Sequence, residues 1–424
     1  MTLLPYLLPA LALIGAPLFA IIAAGAMLGF YSVETDLAVI AIEIYRVAEM
    51  PVLVAIPLFT FSGYLLGESR APQRLVRLSE VFLGWLPGGL AVVALFACAF
   101  FTAFTGASGV TIVALGALLH PALKQAGYSP RFSLGLVTTS GSLGLLFAPS
   151  LPLILYGVVV QQSNLGTPLS IDQLFVAGLL PGLMMILLLV VYTLWHNRGL
   201  PRPPRPNLTE VGQTLRGCFW ELPLPIVVLG GIYGGFFAIS EAAAVTLLYI
   251  FLIEVIILRE IPWRRVPEII RQSMIMVGGI LIILAVSLAT TNYLIDTDVP
   301  RRLFETIREY VVNPLTFLIL LNIFLLILGA ILDIFSALIL VVPLILPVAV
   351  GYGIDPIHLG IIFLANMQIG YLTPPVGLNL FIASYRFERP IAEIYSSTLP
   401  FLLILLLTVL LITYWPALSL CLVR

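Results

Sequence analysis

The sequence predicts an all-α polytopic membrane protein with two related halves, and three observations carry that prediction. Of 424 residues, 61% are hydrophobic and 10% charged, whereas about a quarter are charged in soluble domains. No Lys, Arg, Asp or Glu occurs from Val81 to Leu123, from Phe132 to Ile171, or from Gln173 to Asn197. Glycines, prolines and arginines also recur in the same order in both halves. A bilayer core of ~30 Å takes about 20 apolar residues per span, so the chain has room for roughly a dozen crossings. A soluble enzyme and a nucleic-acid binder are excluded. A β-barrel is excluded too, because it would alternate polar and apolar residues in short segments.

Net charge is -1, so no bulk field points to a polyanionic partner. Cys98, Cys218 and Cys421 are scattered in apolar surroundings and form neither a disulfide framework nor a metal-ligand spacing. Met1 to Ile22 has no basic residues before its apolar stretch, which predicts a first transmembrane helix rather than a cleaved signal. The segment from His196 to Pro206 is Pro-rich and basic and reads as an extended linker. The positive-inside rule puts it in the cytoplasm, together with the loop Arg259 to Arg265. The apolar stretches between them, about Leu222–Ala238 and Ala242–Leu258, then form an out-and-back pair.

The repeat is read by placing Gly127-Tyr128-Ser129-Pro130 over Gly353-Ile354-Asp355-Pro356. At that shift Pro121 meets Pro347, Gly144 meets Gly370 and Pro149 meets Pro375. A drift of one or two residues pairs Pro87 with Pro314, and Ala71 to Leu75 with Val299 to Leu303. Duplicated halves with backbone-breaking residues in corresponding places point to a secondary transporter. Each half opens with an amphipathic segment, Arg74 to Leu86 and Arg301 to Val312, suited to the membrane interface or to an ordinary surface helix. An uncharged run follows. Gly88 to Leu123 would be ~54 Å long as one helix, so it crosses twice or dips in and returns. The cluster Thr105-Gly106-Ala107-Ser108-Gly109 near its centre favours a re-entrant hairpin with an interior tip. The matching run, Leu315 to Tyr352, is interrupted at Gly329 to Asp333.

Each half then carries a helix that should break, at Ser140 to Pro152 and at Asn366 to Gly377. Proline removes an N–H and clashes with the preceding turn, leaving carbonyls that are tolerated in hydrocarbon only where protein, water or ions satisfy them. Such carbonyls, with Ser and Thr hydroxyls beside them, suit Na⁺, and half-helix N-termini suit a carboxylate. One ion site per half is expected: Gly106 and Ser108 with Ser140, Gly141 and Gly144; Gly329 and Asp333 with Asn366, Gly370 and Thr373. The same small residues also permit close helix packing. Asp333, an ionisable group in a membrane segment, is a candidate Na⁺ ligand, proton carrier or N-cap. Glu241 follows Ser240 at a helix start and reads as dipole compensation.

A competing reading takes Gly106-Ala107-Ser108-Gly109 as the signature of a rhomboid-type intramembrane serine protease, with His358 as base. It leaves the duplication unexplained, and His358 follows Asp355-Pro356, a helix start near the membrane surface.

Over nearly the whole chain the sequence resembles the large membrane subunit of the tripartite ATP-independent periplasmic (TRAP) transporters. The resemblance is carried by Leu86-Pro87-Gly88-Gly89-Leu90, Ala97 to Phe101, Thr105 to Thr111, Ser140 to Gly144 and Pro149 to Tyr156. In the second half it is carried by Ser240 to Val245, Gly329 to Asp333 and Thr373 to Asn379. It implies two inverted repeats, each with a re-entrant hairpin and a broken transmembrane helix, in an elevator-type transporter of a bacterial or archaeal cytoplasmic membrane. The implied divisions are scaffold helices and arm at 1–86, transport core at 87–165, and a transmembrane helix and cytoplasmic linker at 166–218. In the second half they are scaffold and arm at 219–312, transport core at 313–386 and a C-terminal transmembrane helix at 387–424. Also implied are Na⁺ as coupling ion with no cofactor, a small four-helix membrane subunit as a separate chain, and a periplasmic solute-binding protein. The binding protein would deliver a small organic acid such as a dicarboxylate or sialic acid, with Thr105, Ser150, Pro374 and Asn379 as candidate substrate contacts. A stand-alone Na⁺- or H⁺-coupled carboxylate carrier of the same superfamily is the alternative.

Overall fold

The structure is a computed structural model, and it describes residues 8, 11, 15–86, 88–163, 169–200 and 207–423. Pro87, most of the first sixteen residues and the 201–206 part of the predicted linker lie outside the described residues.

All regular elements among the described residues are helical. The first half contains α1 (Leu18–Ser32), α2 (Ala38–Ala48), α3 (Ala55–Glu68) and α4 (Ala71–Leu83). Next come α5 (Gly89–Thr105), α6 (Ser108–Gln125), α7 (Pro130–Ser140), α8 (Leu151–Gln162) and the long α9 (Ile171–His196). The second half contains α10 (Leu208–Gly217), α11 (Pro223–Tyr233), α12 (Ile239–Phe251, continued by a π-helical turn Leu252–Ile257) and α13 (Val266–Asp296). It ends with α14 (Val299–Tyr310), α15 (Pro314–Ile331), α16 (Ile334–Gly351), α17 (Pro356–Gly370), α18 (Leu378–Phe387), α19 (Ile391–Tyr414) and α20 (Ala417–Leu420).

Among the described residues, seven helices are long and apolar enough to cross a membrane, or eight if α7 and α8 form one bent span. Four more apolar helices have only 10–17 residues: α1, α5, α11 and α17. The room for roughly a dozen crossings thus divides, among the described residues, into seven or eight full-length helices and four shorter ones. Most of the expected N-terminal helix, Met1 to Ile22, lies outside the described residues; α1 begins after Pro17, whose φ is -58°, and runs to Ser32.

Two groups of helices pack side by side. In the peripheral group α3 lies against α12 and α13, and α1 and α2 lie against α13. In the central group α5 and α6 form one helical hairpin, and α15 and α16 a second, with α7, α8, α17 and α18 between them and α19 and α9 behind. Close backbone approaches hold the central group together. A Cβ on Gly135 would stand 2.0 Å from the Ser397 carbonyl, and one on Gly178 would stand 2.1 Å from that of Leu146. The amphipathic segments are α4 and α14. α4 buries Ala71, Pro72 and Leu75, whereas α14 buries only Pro300. Glu241 accepts the N–H of Ala238 at 2.9 Å, so it caps α12 as expected.

Candidate functional site

The tip of the first hairpin is set by Gly106, whose φ of +64° closes α5 with its N–H on the Thr102 carbonyl at 2.8 Å. A side chain there would strike Leu151, the first residue of α8, so this tip rests on the second half of the interrupted helix. The interruption runs from Gly141 through a 3₁₀ turn (Leu143–Leu146) and a cis Ala148–Pro149 bond, and bends the α7–α8 pair by 41°. A Cβ on Gly141 would lie 3.3 Å from the Ser108 carbonyl, and one on Gly144 2.2 Å from that of Ala99. Thr102 joins these parts. Its hydroxyl lies 2.7 Å from the Cys98 carbonyl, 2.7 Å from the Thr111 hydroxyl and 2.9 Å from the Gly141 carbonyl. One hydroxyl proton cannot serve all three oxygens.

The second hairpin turns at Leu332-Asp333. Asp333 is the N-cap of α16: its Oδ1 accepts the N–H groups of Phe335 at 3.0 Å and Ser336 at 3.1 Å, and its Oδ2 accepts the Ser336 hydroxyl. The Ile334 N–H donates to the Tyr371 hydroxyl at 2.7 Å. A Cβ on Gly370 would stand 2.5 Å from the Gly329 Cα, so backbone touches backbone there. The interruption after α17 contains a cis Pro374–Pro375 bond and Gly377 at φ +57°. The Gly377 N–H donates to the Ala330 carbonyl at 3.1 Å, fastening this break to the second tip.

Both tips open on one cavity of about 930 Å³ between the central and peripheral groups. Gly106 to Val110 line it from the first hairpin, Asp333 to Phe335 from the second, Leu145 and Tyr371 from the interruptions. Tyr64, Gly67 and Glu68 of α3 face it, as do Gln272 and Met276 of α13. Among the described residues that line it, the charged groups are Glu68 and Asp333, both acidic. Asp333 is exposed to this space rather than sealed in apolar surroundings.

The sequence-predicted residues divide accordingly. Gly106, Ser108 and Asp333 line the cavity. Gly141, Gly144, Gly329 and Gly370 stand behind the tips as close backbone contacts. Ser140 and Thr373 turn their hydroxyls back on Val137 and Ile369 at 3.2 and 3.0 Å. Asn366 departs from the expected grouping: its amide donates to Asn322 Oδ1 at 2.6 Å, midway along α15, because that face of α17 meets α15 about three turns before the tip. Thr105 is fully buried against Gly63 of α3, and Ser150 donates to the Leu145 carbonyl at 2.6 Å. Pro374 is exposed, while Asn379 is buried and bridges the two interrupted helices, its amide reaching the Thr138 carbonyl at 3.5 Å. His358 engages Ser419 Oγ at 2.6 Å and the Thr413 carbonyl at 3.2 Å, so both ring nitrogens are used away from Ser108.

Sequence reasoning misses Thr102, Thr111 and Tyr371. Two threonines nine residues apart on either side of a Gly-Ala-Ser tip, and a tyrosine directly after Gly370, are the signals that mark them.

Residues 6–418 match the family described as the tripartite ATP-independent periplasmic transporter, DctM component. A C4-dicarboxylate TRAP transporter large permease protein DctM of Pseudomonas aeruginosa is 34% identical over 385 residues, 90% of this chain and 88% of that protein. An isethionate TRAP transporter permease protein DctMQ of Oleidesulfovibrio alaskensis is 32% identical over 368 residues, 86% of this chain and 57% of that protein. The crystal structure of the YdaH transporter of Alcanivorax borkumensis superposes with a TM-score of 0.64 at 15% identity, covering 90% of this chain and 88% of that one, and so shares the fold. This chain belongs to the DctM family of large membrane components of TRAP transporters.

Proposed function

We propose that this permease takes up a small organic acid, a C4-dicarboxylate first among candidates, driven by Na⁺ and delivered by a periplasmic binding protein. A small membrane subunit completes the assembly in the cytoplasmic membrane. The observation that carries the reading is the convergence of both hairpin tips and both interruptions on one acidic cavity. A dianion entering a space whose charged lining groups are Asp333 and Glu68, the latter paired with Arg265 at 3.4 Å, is repelled unless cations enter with it. The neutral oxygens around Thr102, namely the hydroxyls of Thr102 and Thr111 and the carbonyl of Gly141, suit a monovalent cation. In the second half Asp333 supplies a charged oxygen beside Tyr371. The substrate carboxylate meets the start of α6, where Ala107 provides no side-chain cap and Ser108 to Val110, the first turn with its unsatisfied N–H groups, line the cavity. Alternating access follows if the central group moves as a body past α3 and α13, an elevator of two inverted repeats with the peripheral helices as scaffold.

The test is succinate uptake into proteoliposomes holding the permease, its small subunit and its binding protein. An inward Na⁺ gradient is expected to raise the initial rate at least ten-fold over choline, and omission of the binding protein to abolish it. Equal rates in Na⁺ and choline would overturn the ion assignment.

A further inference from the structure

Arg74, in the first arm α4, is 16% exposed and surrounded by carboxylates from three separate segments. Its Nη2 lies 3.0 Å from Glu254 Oε1 in the π-helical end of α12. Its Nε contacts Glu221, just before α11, and its Nη1 contacts Glu260 in the loop after α12. The cage is closed by two further bonds. Glu260 Oε2 accepts the Arg70 N–H at 2.8 Å, and the Cys218 thiol donates to the Arg74 carbonyl at 3.2 Å. Although burial works against its charge, the Arg70 N–H and the Arg74 guanidinium hold the Glu260 carboxyl below the usual range, so it stays ionised at neutral pH.

The second arm is attached differently. Arg302, which the sequence correspondence sets opposite Arg74, is exposed, and its neighbour Arg301 pairs with Glu305 of its own helix at 3.1 Å. What holds α14 is the second hairpin: the Tyr352 hydroxyl donates to the Val311 carbonyl at 2.5 Å, and Phe304 lies edge-on to Tyr352 and against Gly351. The polar bonds of the first arm therefore run to the peripheral group and those of the second to the central group, although α4 also packs along α5 of the first hairpin and α14 along α13. Between α4 and the first hairpin stand Gly84 and Gly88, the latter at φ +74°, with Gly89 opening α5, glycines suited to absorb a change of backbone angle.

We infer that Arg74 is a positioning residue for transport: it fixes the first arm to the scaffold, so that the first hairpin turns about Gly84–Gly89 while the second arm travels with the second hairpin. The inference rests on the alternating-access reading above. A guanidinium is needed because only its planar fork of five donors reaches three carboxylates at once; an ammonium has the charge without the reach.

Arg74→Gln, Arg74→Lys and Arg302→Gln are compared in the full complex, in the Na⁺-driven succinate assay. Arg74→Gln is expected to lower the maximal rate at least ten-fold, with the KM for the loaded binding protein within two-fold of the unaltered complex. Arg74→Lys is expected to restore part of that rate, and Arg302→Gln to stay within two-fold of it. If Arg74→Gln is not recovered folded, Glu260→Gln, which leaves two carboxylates on the guanidinium, should lower the rate at least three-fold at unchanged KM. A full rate in Arg74→Gln or its substitute, or an equal loss in Arg302→Gln, overturns the inference while the transport reading stands. No Na⁺-driven uptake by the unaltered complex would remove both.

Discussion

Asp333 holds the first-turn N–H groups and the Ser336 hydroxyl of α16, and it lines the cavity. The two roles separate by substitution. Asparagine caps a helix about as well as aspartate but carries no charge, whereas alanine loses the cap at a cost of ~1 kcal/mol. Asp333→Asn is therefore expected to keep the thermal midpoint of the purified protein and to lower Na⁺-driven uptake at least ten-fold. Asp333→Ala should lower both. If Asp333→Asn transports at the full rate, the residue is a cap and nothing more. The sequence exposes this carboxylate through its isolation, since no other Lys, Arg, Asp or Glu lies between Glu309 and Asp355. It does not show that the side chain borders open space, because exposure depends on how α16 is rotated against α3 and α13.

At the scale of elements, the interruptions were legible because proline and glycine act on the backbone wherever they stand. Pro149 and Pro375 break helices in the structure near the places their spacing indicates, and Gly106 turns the first tip. The partners across each break were less legible. Asn366 and Thr105 stand in the expected segments, yet one faces Asn322 and the other faces α3. In an all-round apolar helix no polar stripe marks which side is inward, so periodicity assigns no face. The cavity wall from Tyr64, Gln272 and Met276 went unseen for the same reason. Glycines at the crossings carry their own test. A Cβ on Gly144 would stand 2.2 Å from the Ala99 carbonyl and 2.4 Å from the Ala103 N–H nitrogen, both backbone atoms that cannot rotate away. Gly144→Ala is expected to destabilise by ~1–3 kcal/mol, the range for overpacking. Gly279→Ala, on the open side of α13 with no atom within 4 Å, should raise stability by ~0.5–1 kcal/mol through lost chain entropy. Equal thermal midpoints for the two variants would show that the 3₁₀ turn has room to move.

For the whole molecule the question is which contacts persist during a transport cycle and which must break. A Cβ on Gly67 of α3 would lie 3.4 Å from Val110 Cγ1 of the first hairpin, and one on Gly116 of that hairpin 2.9 Å from Val137 Cγ1 of α7. Each pair of Cβ atoms thus lies within about 5 Å, close to the ~3.5–4.5 Å that a disulfide spans. The first pair crosses from peripheral to central helices; the second stays inside the central group. In a background without Cys98, Cys218 and Cys421, oxidising Gly67→Cys/Val110→Cys is expected to stop succinate uptake, with recovery on reduction. Oxidising Gly116→Cys/Val137→Cys should leave at least half the rate, because its two helices travel together. Arrest by both bridges would mean that the first hairpin moves against α7, a local gate in place of a sliding body. Arrest by neither would mean that α3 and the hairpin keep their contact throughout the cycle. Only a bridge that distinguishes the two pairs fits a central group that slides as one piece, since such a slide requires Gly67 and Val110 to part while Gly116 and Val137 stay together.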